Sequence, residues 1–340
     1  MTGTAHVETA RPLLLRLAPR VTISLALLCA IALVVPLQSL LTSFSRVHIG
    51  LLLASYLTIP LFGYIDANRT RVLTAVQGMT HTVGTLWRIS LVSSFYSMLL
   101  PGLAVGGVVR WHRLARRDAM PAQALAVLLF GRTLSTAMTV SIGVACAAMD
   151  PIVRGHPIWG GGLALIAVGM FAFVWIVFLT DRTIAVTREL AQSRWLPPFV
   201  RAPLCRLASQ VGAFRNLGAR RLCTTLLLML GNELIALASF YLLALALDLP
   251  LSPFAVGWTR AYVLMVTILP ISILGIGVRE GSLIAMLSVY HIDPASAVAY
   301  STLILGRNVL TGMLGAVLEL GSVLRGRIAT RARAPSNRIT

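Results

Sequence analysis

Four arginines stand where arginine is costly. Arg132 and Arg307 each follow a glycine deep inside a long apolar run, and Arg110 and Arg279 each close a glycine-containing segment that begins Leu-Pro. A guanidinium presents five N–H donors in a planar fork that matches carboxylate or phosphate oxygens. At the centre of a bilayer it costs on the order of 3 kcal/mol on insertion scales, so it is retained there for a partner or a function. Glu233 and Glu280 are the acids placed to position these cations, and Asn232 and Asn308 add amide groups beside them. The implied chemistry is recognition of an anionic head group in a polar cavity. The structural alternative is a set of buried ion pairs bracing the helices. No paired carboxylate motif suggests general-base or metal work. Cys29, Cys146, Cys205 and Cys223 lack CxxC spacing and read as small apolar residues, so neither a metal nor a disulfide framework is expected.

The elements that carry these residues are membrane-spanning. Apolar residues make up 57% of the 340 and charged residues 12%, against about 25% charged in a soluble domain. Runs of roughly 20 apolar residues, enough to cross hydrocarbon, occur at Val21–Leu41, Val47–Ile65, Trp159–Thr180 and Leu222–Leu247. Pro121–Met149 and Pro294–Gly321 are similar runs interrupted by Arg132 and Arg307. The net charge of +18 comes from 29 basic residues, all arginine, in short clusters between the runs. That distribution follows the positive-inside rule and argues against a nucleic-acid partner. Anionic lipid head groups are the partners it favours.

Counting from a cytoplasmic N-terminus, with Arg11, Arg16 and Arg20 before the first helix, places Arg69, Arg71 and Arg88 in a cytoplasmic loop. Ile89–Val109 then has arginines at both ends, which predicts a re-entrant segment broken at Pro101-Gly102. Phe254–Tyr290 predicts a second, entering from the opposite face. Asp66 and Glu319 fall at helix ends and call for no special role. In the basic loop 181–221, Leu204, Leu207, Val211 and Phe214 have helical spacing, which suits either an interfacial helix on lipid or one packed beneath the bundle. The organisation is a cytoplasmic tail (1–20), one transmembrane domain (21–325) and a basic cytoplasmic tail (326–340).

The broken segments repeat each other. Residues 100–110 read LPGLAVGGVVR and residues 269–279 read LPISILGIGVR. After Asp118 comes Pro121–Arg132, and after Asp293 comes Pro294–Arg307, each with an Asp suited to capping, a Pro suited to the first turn and a Gly-Arg pair further on. Pro101, Gly102, Gly106, Gly107, Pro270, Gly275 and Gly277 are expected to shape the broken backbone. The predicted fold is an all-α polytopic membrane protein of two inverted repeats, about 21–149 and 159–321. Each repeat has three crossing helices and one re-entrant or broken helix, with eight full spans as the competing count. Inverted repeats with discontinuous helices are a recurrent transporter design. Arg132 lies about 16 Å along its helix from Pro121 and Arg307 about 20 Å from Pro294, near the bilayer midplane.

The motif LPISILGIGVREG (Leu269–Gly281), with LPGLAVGGVVR and the Gly-Arg helices, resembles the flippase-like transmembrane domain of the lysylphosphatidylglycerol synthase family. The resemblance extends over about residues 20–325. It implies a bacterial cytoplasmic-membrane protein that moves a phospholipid or polyprenyl-linked lipid between leaflets. In the bifunctional synthases a separate soluble domain makes the aminoacylated lipid. This chain runs into an arginine-rich tail at Thr340, so no synthetase activity is expected. No G-x-x-x-x-G-K-[ST] motif occurs and lysine is absent, which argues against ATP-driven pumping and leaves no expected cofactor. The alternatives are a membrane anchor or partner subunit for a separate synthase or glycosyltransferase and, less favoured, an intramembrane transferase.

Overall fold

The computed structural model describes residues 37–99, 105–155, 161–162, 164–170, 172, 209–268 and 277–332. Among these residues four helices are long and apolar enough to cross a membrane, and the chain is a multi-pass membrane protein. Helix α1 (Leu37–Ser45) leads into α2 (Ile49–Val76), α3 (Val83–Leu99), α4 (Val105–Asp118), α5 (Pro121–Met149) and a single turn, α6 (Pro151–Arg154). A 3-10 turn (Ala213–Leu217) precedes α7 (Ala219–Ala246), α8 (Pro253–Ile268), α9 (Val278–Ser288) and α10 (Pro294–Ala332).

The order long, short, short, long occurs twice, and the turns after the equivalent helices share hydrogen bonds. At the end of α2 the N–H groups of Gln77, Gly78 and Met79 donate to the carbonyls of Thr74, Ala75 and Thr74. At the end of α7, Leu247, Asp248 and Leu249 donate to Ala244, Leu245 and Ala244 in the same pattern. The left-handed residue is Gly78 (φ 76°) in one and Asp248 (φ 51°) in the other. After α4 and α9, Met120 donates to Ala115 and Ile292 to Leu287, with Ala119 (φ 55°) and His291 (φ 57°) as the left-handed residues. Helix ends of this kind satisfy orphan carbonyls through a left-handed residue just past the terminus.

The first long helices of the two sets run antiparallel. His48, before α2, donates its N–H to the Ala246 carbonyl at the end of α7 (2.8 Å). Gln77, after α2, donates from Nε2 to the Gln210 carbonyl ahead of α7 (2.7 Å). Midway, the Ser55 hydroxyl donates to the Ser239 carbonyl (2.9 Å) and the Ser239 hydroxyl to the Ser55 carbonyl (3.3 Å). Like turns joined through antiparallel equivalent helices are compatible with inverted repeats.

Helices α3, α4, α8 and α9 have 17, 14, 16 and 11 residues. Each pair folds back as a hairpin: Gly106 lies against Ser93 and Ser97, and Trp258 near the start of α8 donates to the Tyr290 hydroxyl beyond α9. The first helix of each hairpin crosses to the long last helix of the other set. Gly315 of α10 brings its backbone against the Leu91 carbonyl of α3, and Gly143 of α5 lies against Ala261 of α8. A Cβ at either glycine would collide, so only glycine allows this approach.

Equivalent positions also fill the two cores. Leu73, Met79 and Ala115 are buried in one, and Leu243, Leu249 and Leu287 in the other. Phe214 stacks on Phe130 with ring centroids 4.3 Å apart, and Val211 is buried nearby. The end of the basic 181–221 segment is therefore packed beneath the bundle and is not laid on lipid.

Two expectations need correction. Arg69 and Arg71 lie within α2 and Arg88 within α3, because α2 continues about three turns past the apolar run that ends at Ile65. The connecting loop is only 77–82. Asp118 does not cap α5: Met120 occupies the cap position without a side-chain bond, and Asp118 faces His81 at 3.3 Å. Asp293 does cap α10, accepting from the Ser296 N–H at 2.9 Å. Pro101, Gly102, Pro270, Gly275, more than half of the span Trp159–Thr180 and most of the span Val21–Leu41 lie outside the described residues, as do Leu204 and Leu207.

Candidate functional site

Where the two helix sets meet, a cavity of about 630 Å³ opens between α2, α3, α4, α5, α7 and α10. Its wall contains Arg69, Arg110, Arg132, Arg279 and Arg307, and a single carboxylate, Asp66. The four arginines singled out from sequence thus line one space, with Asn232 and Asn308 on the same wall. A smaller, mostly apolar cavity of about 290 Å³ adjoins it and shares Phe62, Arg279, Arg307 and Asn308.

Local structure explains how each group reaches the site. Asp66 and Arg69 are one turn apart on α2, so their side chains meet on one face, with Arg69 Nη2 donating to Asp66 at 2.5 Å. Arg110 of α4 donates to the other oxygen of Asp66 at 2.9 Å and to the Thr70 hydroxyl at 3.1 Å. Asp66 therefore ties the first hairpin to α2. The helix end assigned to it is an interior site, and this acid has the structural role the sequence reading withheld from it. Glu319 is also engaged, accepting from Arg113 (2.5 Å) and from the Tyr96 hydroxyl (3.3 Å).

Glu233 does not pair with any of the four chosen arginines. It is buried on α7, accepting from Arg260 Nη1 of α8 (2.6 Å) and from the Thr139 hydroxyl of α5 (2.8 Å). Arg260 also lies over the Phe240 ring at 5.5 Å. Arg260 was missed because it sits in the apolar stretch taken as the re-entrant segment, with no neighbouring acid in sequence. Its signal was the same intramembrane position that flagged Arg132.

Glu280 pairs with its neighbour in sequence. It accepts from Arg279 Nη2 (2.5 Å), from the Ser301 hydroxyl (3.0 Å) and from the Gly277 N–H (2.7 Å), where it closes the start of α9. Gly277 has φ 83°, which accounts for a glycine there. Gly106 lets α4 approach α3, since a Cβ would meet Ser97, whereas Gly107 faces open space.

Arg132 and Arg307 have no carboxylate partner among the described residues. Arg307 is 9% exposed; its Nε and Nη2 are buried without a hydrogen-bond partner, and its guanidinium lies 5.5 Å from the centroid of Phe62. Arg132 is exposed on the cavity wall. Counted from the proline that opens each helix, Arg307 is two residues further along than Arg132. Two residues turn a helix by roughly 200°, so the two Gly-Arg pairs are not equivalent in register, and their burial differs accordingly. Among the described residues no group of three His, Cys, Asp or Glu could hold a metal.

Among the described residues the cavity brings together paired cations fixed by Asp66 and Glu280, cations without an ion pair at Arg132 and Arg307, and hydroxyl and amide groups, an arrangement chemically able to receive an anion. No curated protein and no solved structure matches the chain. Residues 20–315 match the family model described as the lysylphosphatidylglycerol synthase TM region, and the chain belongs to that family.

Proposed function

We propose that this chain is a lipid translocator, a flippase or scramblase that passes the head group of a phospholipid or polyprenyl-linked lipid through the arginine-lined cavity. The family is one of membrane proteins concerned with lipid modification or translocation. The observation that carries the finer reading is Arg307: a buried guanidinium with two unpartnered nitrogens on the wall of a 630 Å³ cavity. An intramembrane arginine is expensive, and a structural role would give it a carboxylate. Arg110 and Arg279, held by Asp66 and Glu280, and Arg132 complete a cationic path for phosphate. The antiparallel arrangement of the two helix sets suits access from either leaflet. This reading places the protein in a bacterial cytoplasmic membrane with both termini cytoplasmic, and movement is passive or coupled to an ion gradient.

Leaflet exchange of fluorescent lipids in proteoliposomes tests it, with the unaltered protein beside Arg307→Gln. Exchange that depends on the head group and falls about tenfold or more in the variant supports translocation; one factor of ten corresponds to about 1.4 kcal/mol. Exchange no faster than in protein-free vesicles, with the protein monodisperse, refutes it and favours an anchor for a separate synthase or glycosyltransferase.

A further inference from the structure

The cavity is selective in sign as well as polar. Each carboxylate near it is already engaged: Asp66 by Arg69 and Arg110, Glu233 by Arg260 and Thr139, Glu280 by Arg279 and Ser301. The other described carboxylates lie elsewhere. Asp118 faces His81, Asp248 faces His48, Glu319 holds Arg113, and Asp150 and Asp293 cap helices. Among the described residues, none is left on the wall to receive an ammonium group.

What remains unengaged is mainly cationic or hydrogen-bond accepting, with the Trp87 indole N–H as a neutral donor. Arg132 has no ion pair among the described residues and Arg307 has two free buried nitrogens. Along α3, the hydroxyls of Ser93, Ser94 and Ser97 donate to carbonyls of their own helix at 2.8, 3.1 and 2.8 Å, and Thr311 of α10 does so at 2.9 Å. Each hydroxyl has one proton and two lone pairs, so while these bonds are kept the side chains present acceptors to a ligand. Asn232 Oδ1, on the same wall, is buried and also lacks a donor. A ligand that satisfies this wall brings negative charge for the arginines and O–H donors for the acceptors. An ammonium group could donate to the same acceptors, but it would sit among like charges in a site of low dielectric.

Resting on the translocation reading above, we infer that the site selects lipids whose head group is an anionic phosphate ester bearing free hydroxyls, such as a glycerol or sugar phosphate, and rejects head groups with a cationic aminoacyl substituent. The shared chemistry has two sources, a glycerophospholipid and a polyprenyl phosphosugar.

The test is competition for binding, which does not require transport. Full-length protein in neutral nanodiscs is loaded with trace labelled phosphatidylglycerol and challenged with unlabelled lipids. Phosphatidylglycerol or a polyprenyl phosphosugar, whichever is the source, competes at about tenfold lower concentration than the lysyl ester of phosphatidylglycerol, a gap of about 1.4 kcal/mol. Phosphatidylmethanol, which keeps the charge and lacks the hydroxyls, competes several-fold less well than phosphatidylglycerol. Arg307→Gln, or Arg132→Gln should the first variant not fold, brings the lysyl ester and the parent lipid together. Equal or better competition by the lysyl ester, equal competition by phosphatidylmethanol, or no binding of the labelled lipid to folded protein overturns the inference. Selective binding without leaflet exchange would sink only the translocator, and exchange with unselective binding would sink only this selectivity.

Discussion

Asp66 and Arg307 are both intramembrane charges, yet neutralising them should move stability in different directions. In Asp66→Asn, Arg69 and Arg110 lose the carboxylate they share, at 2.5 and 2.9 Å, and are left facing each other. The side chains of Asp66 and Arg69 are 14% and 9% exposed, so water does not replace the lost partner. Removing one member of a buried pair costs about 3–5 kcal/mol, because the remaining charge is uncompensated. Arg307 has no pair to lose. Burying its charge costs about 2.5–3.5 kcal/mol on insertion scales, and the Phe62 ring at 5.5 Å returns about 0.5–2. Arg307→Gln should therefore be stabilising by about 0.5–3 kcal/mol, the difference between those two ranges. Equilibrium unfolding in mixed micelles, with a thermal midpoint from size-exclusion chromatography, measures both. Asp66→Asn should lose most of its folded fraction under conditions where Arg307→Gln keeps its own, and Asp66→Asn combined with Arg110→Gln should recover part of the loss. If Arg307→Gln destabilises as much as Asp66→Asn, then Arg307 is braced by a partner and the division between structural and ligand-facing arginines fails.

Other perturbations test the scaffold. Ser55→Val removes the reciprocal bonds with Ser239 between α2 and α7 and should cost about 0.6–1.7 kcal/mol in the same unfolding assay. Gly315→Leu drives a side chain into the Leu91 carbonyl and should cost about 1–3 kcal/mol, while Gly84→Ala, which meets open space, should cost nothing measurable. His81, in the turn after α2, is 4% exposed and its pKa is held below the usual value by burial, with Arg117 pushing the same way and Asp118 opposing. The folded state keeps this imidazole neutral where the unfolded chain takes up a proton. Stability should thus fall as pH drops below about 6.5, and His81→Asn should flatten that slope.

Much of this architecture is legible in the sequence because hydrocarbon imposes simple rules. Pro121–Met149 is a helix with those bounds, and the described helices on either side of each Leu-Pro segment pack against each other. The arginines were legible for the same reason: a charge in the middle of an apolar run has no surface to reach. Asp66 and Arg69 were not, and the cause is physical. An apolar run marks where side chains meet lipid, not where the helix ends. Helix α2 extends from Ile49 to Val76, and beyond Ile65 its side chains meet protein and cavity, where a polar face is admissible. Charges at that end resemble the loop charges counted for topology, so the positive-inside rule absorbed a pair that belongs to the site.

The same distinction shows which repeat features constrain function. The helix-ending turns recur with a left-handed residue in the same place although Gly78 is replaced by Asp248 and Ala119 by His291, so the backbone plan is set by chain direction and packing more than by those side chains. The charges depart from that plan. The acids on the two equivalent helices, Asp66 and Glu233, differ by one turn in register. Asp66 holds the second helix of its hairpin through Arg110, while Glu233 holds the first helix of the other through Arg260. The main cavity is consequently polar on the α3–α4 side, with Ser90, Ser93, Ser94 and Ser97, and the adjoining cavity on the α8–α9 side is mostly apolar, with cations, Thr259, Thr267 and Asn308 as its polar groups besides Tyr300. Two hairpins of like fold thus present unlike faces to the space between them. A lipid has the same asymmetry, one polar end and one apolar, and a site with both surfaces side by side can hold the head group in the first while covering the adjoining chain with the second.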